Sequence, residues 1–173
     1  EAPTSLELFI DRYLPSIETE MRSVVQAYDR DMGDLSNMLR YHLGWVDAAF
    51  RASDGRSGKR LRPILCLLAC RGCGGVTDRV LPAAAAVELL HNFTLIHDDI
   101  EDDDPFRYGE ATMHRKYGTA TAINVGDYLI GMGYRLVSRE TQSLGADVAV
   151  DILDFLAEAH TKLSEGQGAE LLW

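Results

Sequence analysis

A nearly continuous apolar stretch from Leu81 to Ile96 constrains the fold of this chain more than any other feature. A helix that is apolar on all sides must be buried on most of them, so the stretch predicts a central helix over about Asp78–Asp103. Pro105 follows and should end this helix, because proline cannot continue the backbone hydrogen-bond ladder. The other elements are expected to pack around this one helix.

The flanking segments also show helical spacing of apolar residues. No alternation of period two is present, and no Asn-Gly or Asp-Gly pair lies between β-branched runs, so hairpins are not expected. The predicted helices are Leu6–Ile17 with a bend or restart at Pro15, Leu35–Phe50, Ile64–Cys70 with Pro63 in the first turn, Thr119–Gln142, and one that starts near Ala146. A chain of 173 residues with this pattern predicts one all-α domain.

The net charge of −10 excludes one class of partner. An acidic chain lacks the basic surface that nucleic-acid binding requires. The longest candidate for a membrane span, Ala120–Tyr134, carries Asp127 and is shorter than the roughly 20 apolar residues that a span needs. The first residues, EAPTSLELF, show neither the basic nor the apolar part of a signal peptide, which favours a cytoplasmic protein.

The predicted central helix ends in the acidic sequence DDIEDDD. On a helix Asp98 and Asp102 share one face, and Asp99 flanks them. Carboxylates this close repel one another unless a cation lies among them, and such oxygen ligands favour Mg²⁺, which substrate phosphates usually complete. The alternative is a solvated helix end, which is the interpretation for Asp103 and Asp104. For Asp98, Asp99 and Asp102 this alternative is weakened, because acidic side chains at the C-terminus of a helix oppose the helix dipole.

A basic cluster, GKRLRP, leads into another predicted helix. Cations and free backbone N–H groups at such a position favour a bound anion, although basic loop residues can also be simply solvated. His91 lies seven residues before Asp98, so the two face the same side of the predicted helix. His91 is either a ligand-binding residue or a core histidine. A metal cluster and a phosphate cluster joined by an apolar helix suit a substrate with a diphosphate head and an apolar tail.

Four motifs in order, GKRLRP, ELLHNFTLIHDDIEDDDPFRYGEATMH, KYGTATAINVGDYLI and GQGAEL, resemble the trans-isoprenyl diphosphate synthases, most of all geranylgeranyl diphosphate synthases. The resemblance covers about Arg56–Leu171. It implies an antiparallel helix bundle of the isoprenoid synthase type around a deep apolar cavity. Residues 1–173 would form the N-terminal part of one such domain, incomplete at its C-terminal end and with no second domain.

The resemblance also implies a reaction and a set of roles. An allylic prenyl diphosphate ionises with the help of Mg²⁺ and condenses with isopentenyl diphosphate, and geranylgeranyl diphosphate is the expected product. The metal motif comprises Asp98, Asp99 and Asp102, and Arg107 binds the allylic diphosphate. The other substrate-binding residues are those that match the isopentenyl diphosphate site, Gly58, Lys59, Arg62 and His91, and Gln167, which matches the glutamine of the GQxxDL region. Phe93 and Thr94, the fifth and fourth residues before the first aspartate, set the product length. Family members are commonly homodimers that pair through the helix matching Thr119–Gln142, although its glycines also suit packing within one domain.

Three features depart from the family pattern. Tyr108 replaces the usual second arginine before Gly109, and Glu170 replaces the aspartate of the GQxxDL region. No second aspartate-rich motif occurs up to Trp173, so the chain alone is not expected to turn over substrate. Two other functions stay open: a non-catalytic prenyl-diphosphate-binding subunit of a heteromeric synthase, and a class I terpene cyclase, which would not need the GKRLRP cluster.

Overall fold

The structure is a computed structural model that describes residues 4–27, 33–53 and 58–172. Within these ranges it is helical apart from one short hairpin, which confirms the predicted all-α fold. The helices are α1 (Ser5–Ala27), α2 (Asp34–His42), α3 (Leu61–Gly72), α4 (Leu81–Glu101), α5 (Met113–Tyr117), α6 (Thr119–Ser138), α7 (Thr141–Leu144) and α8 (Ala146–Leu171). A 3₁₀ turn, Thr77–Val80, precedes α4, and the hairpin strands are β1 (Phe106–Arg107) and β2 (Glu110–Ala111).

Helix α4 is the centre of the fold, as its composition predicts. It packs against α6, α1 and α3, and its residues Ala84, Leu89 and Ile96 have no exposed surface. The segment Thr77–Glu101 is long and apolar enough to cross a membrane by length and composition, but 61% of its apolar window is buried inside the fold. The core helix of a globular bundle meets the same criteria, and that is the position it occupies here.

Two glycines of α6 allow a close approach to α4. A Cβ at Gly133 would lie 2.8 Å from Cγ of Leu90, and one at Gly126 would overlap the ring of His97. These glycines therefore serve packing within the domain, which was one of the two interpretations of their role. A Cβ at Gly131 would meet no atom within 4 Å.

Helix α2 is shorter than predicted, since it ends at His42 and not at Phe50. Gly44 has a φ of 76°, and the N–H groups of Gly44 and Trp45 donate to the carbonyls of Tyr41 and Arg40. This is the hydrogen-bond pattern of a Schellman motif, which stops a helix by turning the chain to the left-handed region. The chain then reverses through a bridge between Val46 and Ala52.

The hairpin was not predicted either. Tyr108 and Gly109 have φ values of 52° and 81°, so both central residues of the two-residue turn are left-handed, as a type I′ turn requires. Helix α1 is continuous from Ser5 to Ala27, so it does not restart at Pro15, which was one of the two expectations for that residue. Helix α6 ends at Ser138, four residues before the predicted end.

Candidate active site

A long groove separates α4 from α8. It has a volume of about 690 Å³, and its walls include Leu90, Leu95, Leu156 and Leu163. Among the described residues of α8, Ala149 alone is buried, so most of this helix is not covered by other elements. Six of the predicted site residues line it: Arg62, His91, Phe93, Thr94, Asp98 and Gln167. The groove therefore combines apolar walls with an acidic end, as a substrate with a charged head and an apolar tail requires.

A second groove of about 420 Å³, which we call the basic groove, adjoins the first. Its lining includes Gly58, Lys59, Arg62, His91 and Tyr108. Arg62 and His91 also line the long groove, so the two spaces share a wall. The fold thus brings together the four residues expected to bind isopentenyl diphosphate, although 28 residues lie between Arg62 and His91 in the sequence and the two are on different helices.

The electrostatic surroundings of His91 keep its ring neutral. Burial, followed by the charges of Arg62, Arg107 and Arg60, lowers the pKa of His91 to about 4. At neutral pH the ring is therefore uncharged and can donate one hydrogen bond without adding positive charge. Lys59 and Arg62 supply the exposed positive charge of the basic groove, whereas Arg60, which also lines it, is paired with Glu18 and Glu88.

Tyr108 lies at the rim of the basic groove. A Cβ at Gly58 would lie 3.2 Å from the Tyr108 hydroxyl oxygen, so the ring reaches directly over the glycine loop. The side chain is largely exposed. Tyr108 thus occupies the neighbourhood in which a second arginine would contribute charge to the groove.

The three predicted metal ligands have different surroundings. The Asp98 side chain is 44% exposed and lines the long groove, and the Asp102 side chain is exposed at the end of α4. Asp99 is 1% exposed in its side chain and lines a separate cavity of about 110 Å³. Across the described part of the chain, no three His, Cys, Asp or Glu side chains are arranged so that they could hold a metal ion.

Asp99 is held by Arg107, which the hairpin brings back to the end of α4. The Arg107 Nε and Nη2 atoms lie 2.9 and 2.7 Å from Oδ1 of Asp99, while Nη2 is 4.0 Å from Oδ2 of Asp98. Oδ2 of Asp99 is buried without a protein partner. Burial raises the pKa of Asp99, and the hydrogen bond and charge of Arg107 oppose that rise. Arg107 therefore bridges the two acids that begin the motif.

Phe93 and Thr94 lie on the α4 wall of the long groove. The Phe93 ring is buried, and its centroid is 4.7 Å from that of His160 on α8 and 5.7 Å from that of His97. Thr94 donates its hydroxyl to the carbonyl of His91 at 2.8 Å. The contact with His160 was not foreseen, because no spacing rule relates residues of α4 to residues of α8.

Arg60 is a second residue whose setting the sequence does not reveal. Its neighbours Lys59 and Arg62 are exposed, but Arg60 is 3% exposed and forms ion pairs with Glu18 and Glu88. Three basic residues within four positions resemble one another in the sequence. All three line the basic groove, and only the fold distinguishes the buried, paired Arg60 from its two exposed neighbours.

Comparison with known proteins identifies relatives of the whole arrangement. Residues 44–173 match the polyprenyl synthetase family. The geranylgeranyl diphosphate synthase of Sulfolobus acidocaldarius is 32% identical over 165 residues, which are 94% of this chain and 46% of that protein. The short chain isoprenyl diphosphate synthase of Methanocaldococcus jannaschii is 42% identical over 154 residues, 87% of this chain and 46% of that protein.

A solved structure shows the same fold. The crystal structure of a polyprenyl synthetase from Streptomyces coelicolor superposes with a TM-score of 0.84 at 32% identity, covering 95% of this chain and 46% of that one. The chain thus spans about half the length of the proteins that it matches. Because the family match covers three quarters of the chain and includes both grooves, this chain belongs to the polyprenyl synthetase family.

Proposed function

We propose that the protein provides the substrate-binding half of a trans-prenyltransferase that condenses an allylic prenyl diphosphate with isopentenyl diphosphate. The observation that carries this proposal is the shared wall of the two grooves. Arg62 and His91 connect a cationic site for one diphosphate to an apolar groove that ends at Asp98. The names of the relatives favour geranylgeranyl diphosphate as the product.

Two of the acidic side chains fit a divalent cation. Asp98 and Asp102 are four residues apart at the open end of the groove, and carboxylate oxygens are the ligands that Mg²⁺ prefers. We propose that these two hold Mg²⁺ and that Asp99 fixes Arg107 beside them; direct metal binding by Asp99 stays a prediction. When bound, Mg²⁺ neutralises charge on a leaving diphosphate.

The protein's own residues then have separate tasks. Lys59 and Arg62 hold the diphosphate of isopentenyl diphosphate, and neutral His91 donates a hydrogen bond to it. Arg107 stabilises the allylic diphosphate as its C–O bond breaks and the bonding electrons leave with that group. The isopentenyl double bond attacks the resulting cation, and the released diphosphate accepts the proton that is lost. The apolar walls and Gln167 enclose the reacting groups in the long groove.

For the 173 residues alone we propose binding without turnover, because they contain no second aspartate-rich motif. The alternative function is a non-catalytic, prenyl-diphosphate-binding subunit of a heteromeric synthase. A terpene cyclase is disfavoured, since a cyclase has no use for the basic groove. Homodimer formation and a cytoplasmic location belong to the proposal as well.

The test is an assay with Mg²⁺, farnesyl diphosphate and isopentenyl diphosphate. The product of the full reading frame should form geranylgeranyl diphosphate, whereas the 173-residue chain should bind both substrates and form none. Activity of the full product only after addition of a second, different protein would favour the subunit function. Failure to bind isopentenyl diphosphate would contradict both.

Tyr108 is predicted to limit the affinity for isopentenyl diphosphate. Replacement by arginine adds a cation at the rim of the basic groove without new backbone strain, because the left-handed φ of 52° is equally unfavourable for both residues. In an active form of the enzyme, Tyr108→Arg should lower the KM for isopentenyl diphosphate about threefold to tenfold, as expected for one charge-assisted hydrogen bond at an exposed site. Tyr108→Phe is the control and should not lower it. An unchanged or higher KM in the arginine variant would contradict the prediction.

Phe93 is predicted to limit the length of the product. Its ring closes the space between α4 and His160, so truncation should open the groove to a longer chain. In the product of the full reading frame, Phe93→Ala should shift the products beyond twenty carbons, measured by chromatography of the dephosphorylated alcohols. Phe155, which is 70% exposed on α8, offers the control Phe155→Ala. The same product distribution in both variants would count against Phe93 as the limiting residue.

A further inference from the structure

Arg60 is buried, although the two basic residues beside it, Lys59 and Arg62, are exposed to solvent. Each nitrogen of its guanidinium has a protein acceptor. Nε donates to Oε1 of Glu18 at 2.7 Å, Nη1 to Oε1 of Glu88 at 2.9 Å, and Nη2 to the carbonyl of Leu43 at 3.2 Å. The side chain is 2% exposed. Three of the five N–H groups of Arg60 are therefore directed at protein acceptors and away from a ligand, although the residue itself lies in the wall of the basic groove.

The carboxylates that hold Arg60 are fixed in turn. Trp45 donates its indole N–H to Oε2 of Glu18 at 2.8 Å, and Asn92 donates its amide to Oε1 of Glu88 at 3.2 Å. A buried network whose members satisfy one another holds a single arrangement, because an unpaired charge in that position would be costly. The network joins α1, the segment after α2, the loop before α3, and α4.

Three of these connected elements line the basic groove: the segment after α2, the loop before α3, and α4. Arg60 lies between Lys59 and Arg62, and Glu88 and Asn92 lie on α4 on either side of His91. Arg60 also has left-handed backbone angles, φ 48° and ψ 38°, at the N-terminus of α3. A non-glycine residue adopts that conformation at a cost, so its surroundings must hold it there. With the Arg60 side chain turned inward, its two neighbours are left facing the groove.

We propose that Arg60, through Glu18 and Glu88, is a positioning residue for the isopentenyl diphosphate site. It sets the direction of Lys59 and Arg62 relative to His91 without contacting the substrate. The inference rests on the proposed function, in which the basic groove binds isopentenyl diphosphate. The allylic site, built from Asp98 and Arg107, lies outside this network.

The test uses Glu18→Gln in the full chain, because the Glu18 side chain is 21% exposed and the variant keeps an acceptor oxygen. The new amide has no charge and one acceptor oxygen in place of two, so the ion pair with Arg60 is lost, and Trp45 and Arg60 must share one oxygen or one of them loses its bond. Calorimetric titration should show isopentenyl diphosphate binding weakened about fivefold to tenfold, the scale of one charge-assisted hydrogen bond. Binding of farnesyl diphosphate with Mg²⁺ should be unchanged.

Glu20→Gln is the matched control. Glu20 is on the same helix, its side chain is 28% exposed, and it pairs with an arginine of another element, Arg139, at 3.5 Å. This variant should bind isopentenyl diphosphate within about twofold of the parent, since its pair lies outside the network. Arg60→Lys keeps the charge but cannot contact Glu18, Glu88 and Leu43 in the same planar geometry. It should bind isopentenyl diphosphate more weakly than the parent and more tightly than Arg60→Met does.

A ligand-free measurement separates this inference from the proposed function. A lysine-specific protease should cut after Lys59 faster in Glu18→Gln than in the parent or in Glu20→Gln. If the parent binds no isopentenyl diphosphate, the proposed function fails. The cleavage rates still report whether Arg60 and its partners restrain the backbone at Lys59. Parent-like binding and parent-like cleavage in Glu18→Gln would overturn the positioning role. Equal weakening for both diphosphates would also overturn it, because it would indicate a general loss of stability.

Discussion

Replacing Asp98 with asparagine should abolish the effect of magnesium on the binding of an allylic diphosphate. Asp98 is the acid of the motif that lines the long groove, and its side chain is 44% exposed there. Asparagine preserves the shape but removes the charge that attracts the cation. In titrations with farnesyl diphosphate, the variant in Mg²⁺ should bind at least about 100-fold more weakly than the parent, since a metal contributes several kcal/mol of charge stabilisation. Its affinity should equal that of the parent in EDTA.

The acidic cluster supplies its own control. Asp104 belongs to the same run of acids but lies beyond the end of α4, and its side chain is exposed. Asp104→Asn makes the same change in net charge, so it corrects for the general electrostatic effect on an anionic ligand. It should keep the full increment of affinity that magnesium gives. If Asp98→Asn keeps that increment as well, Asp98 is not a ligand, and the proposed division between Asp98 and Asp99 is wrong.

The central part of the fold could be predicted because one physical requirement determines it. The sixteen residues from Leu81 to Ile96, most of them apolar, need burial on most sides, and a helix at the centre of the fold provides that. The end of α2 could not be predicted in the same way. Val46 and Phe50 continue the helical spacing, but the hydrogen bonds of Gly44 and Trp45 reverse the chain before those two residues are reached. The spacing of apolar residues predicts which side of a helix is buried, but it does not predict the residue at which the helix ends.

The site divides along a similar line. His91 and Asp98 share a helix, so their common face follows from their separation in the sequence. Arg60 and Glu18 are 42 residues apart, and nothing in their spacing indicates that they meet. The distinction between Asp98 and Asp99 depends on Arg107, which returns to α4 through a hairpin turn at Tyr108 and Gly109. Because this turn lacks the usual asparagine or aspartate, the hairpin could not be predicted, and the contact of Arg107 with Asp99 could not be predicted either.

Replacing Arg107 with leucine should strongly destabilise the folded chain. Arg107 is the partner of Asp99, whose side chain is 1% exposed. Removal of one member of a buried pair leaves the other charge without compensation, and the expected loss is about 3 kcal/mol in the free energy of unfolding at neutral pH. Urea denaturation of the ligand-free chain measures this loss. The added substitution Asp99→Asn should recover about half of it, because the uncompensated charge is then gone while an amide remains to be buried.

The pH dependence identifies the charge on Asp99 as the cause. Burial already raises the pKa of Asp99 in the parent, and without Arg107 it should rise further. A carboxyl whose pKa is higher in the folded state binds more protons when folded, so its cost is present at neutral pH and fades as the pH falls toward about 4, the unfolded value. The deficit of Arg107→Leu should therefore shrink between neutral pH and pH values near that limit, and the deficit of the double variant should not. Arg115→Leu removes an exposed partner of Asp103 from the neighbouring helix and should cost at most about 1 kcal/mol at any of these pH values. A deficit in Arg107→Leu that is independent of pH would show that the lost packing of the arginine, and not the isolated carboxylate, destabilises the fold.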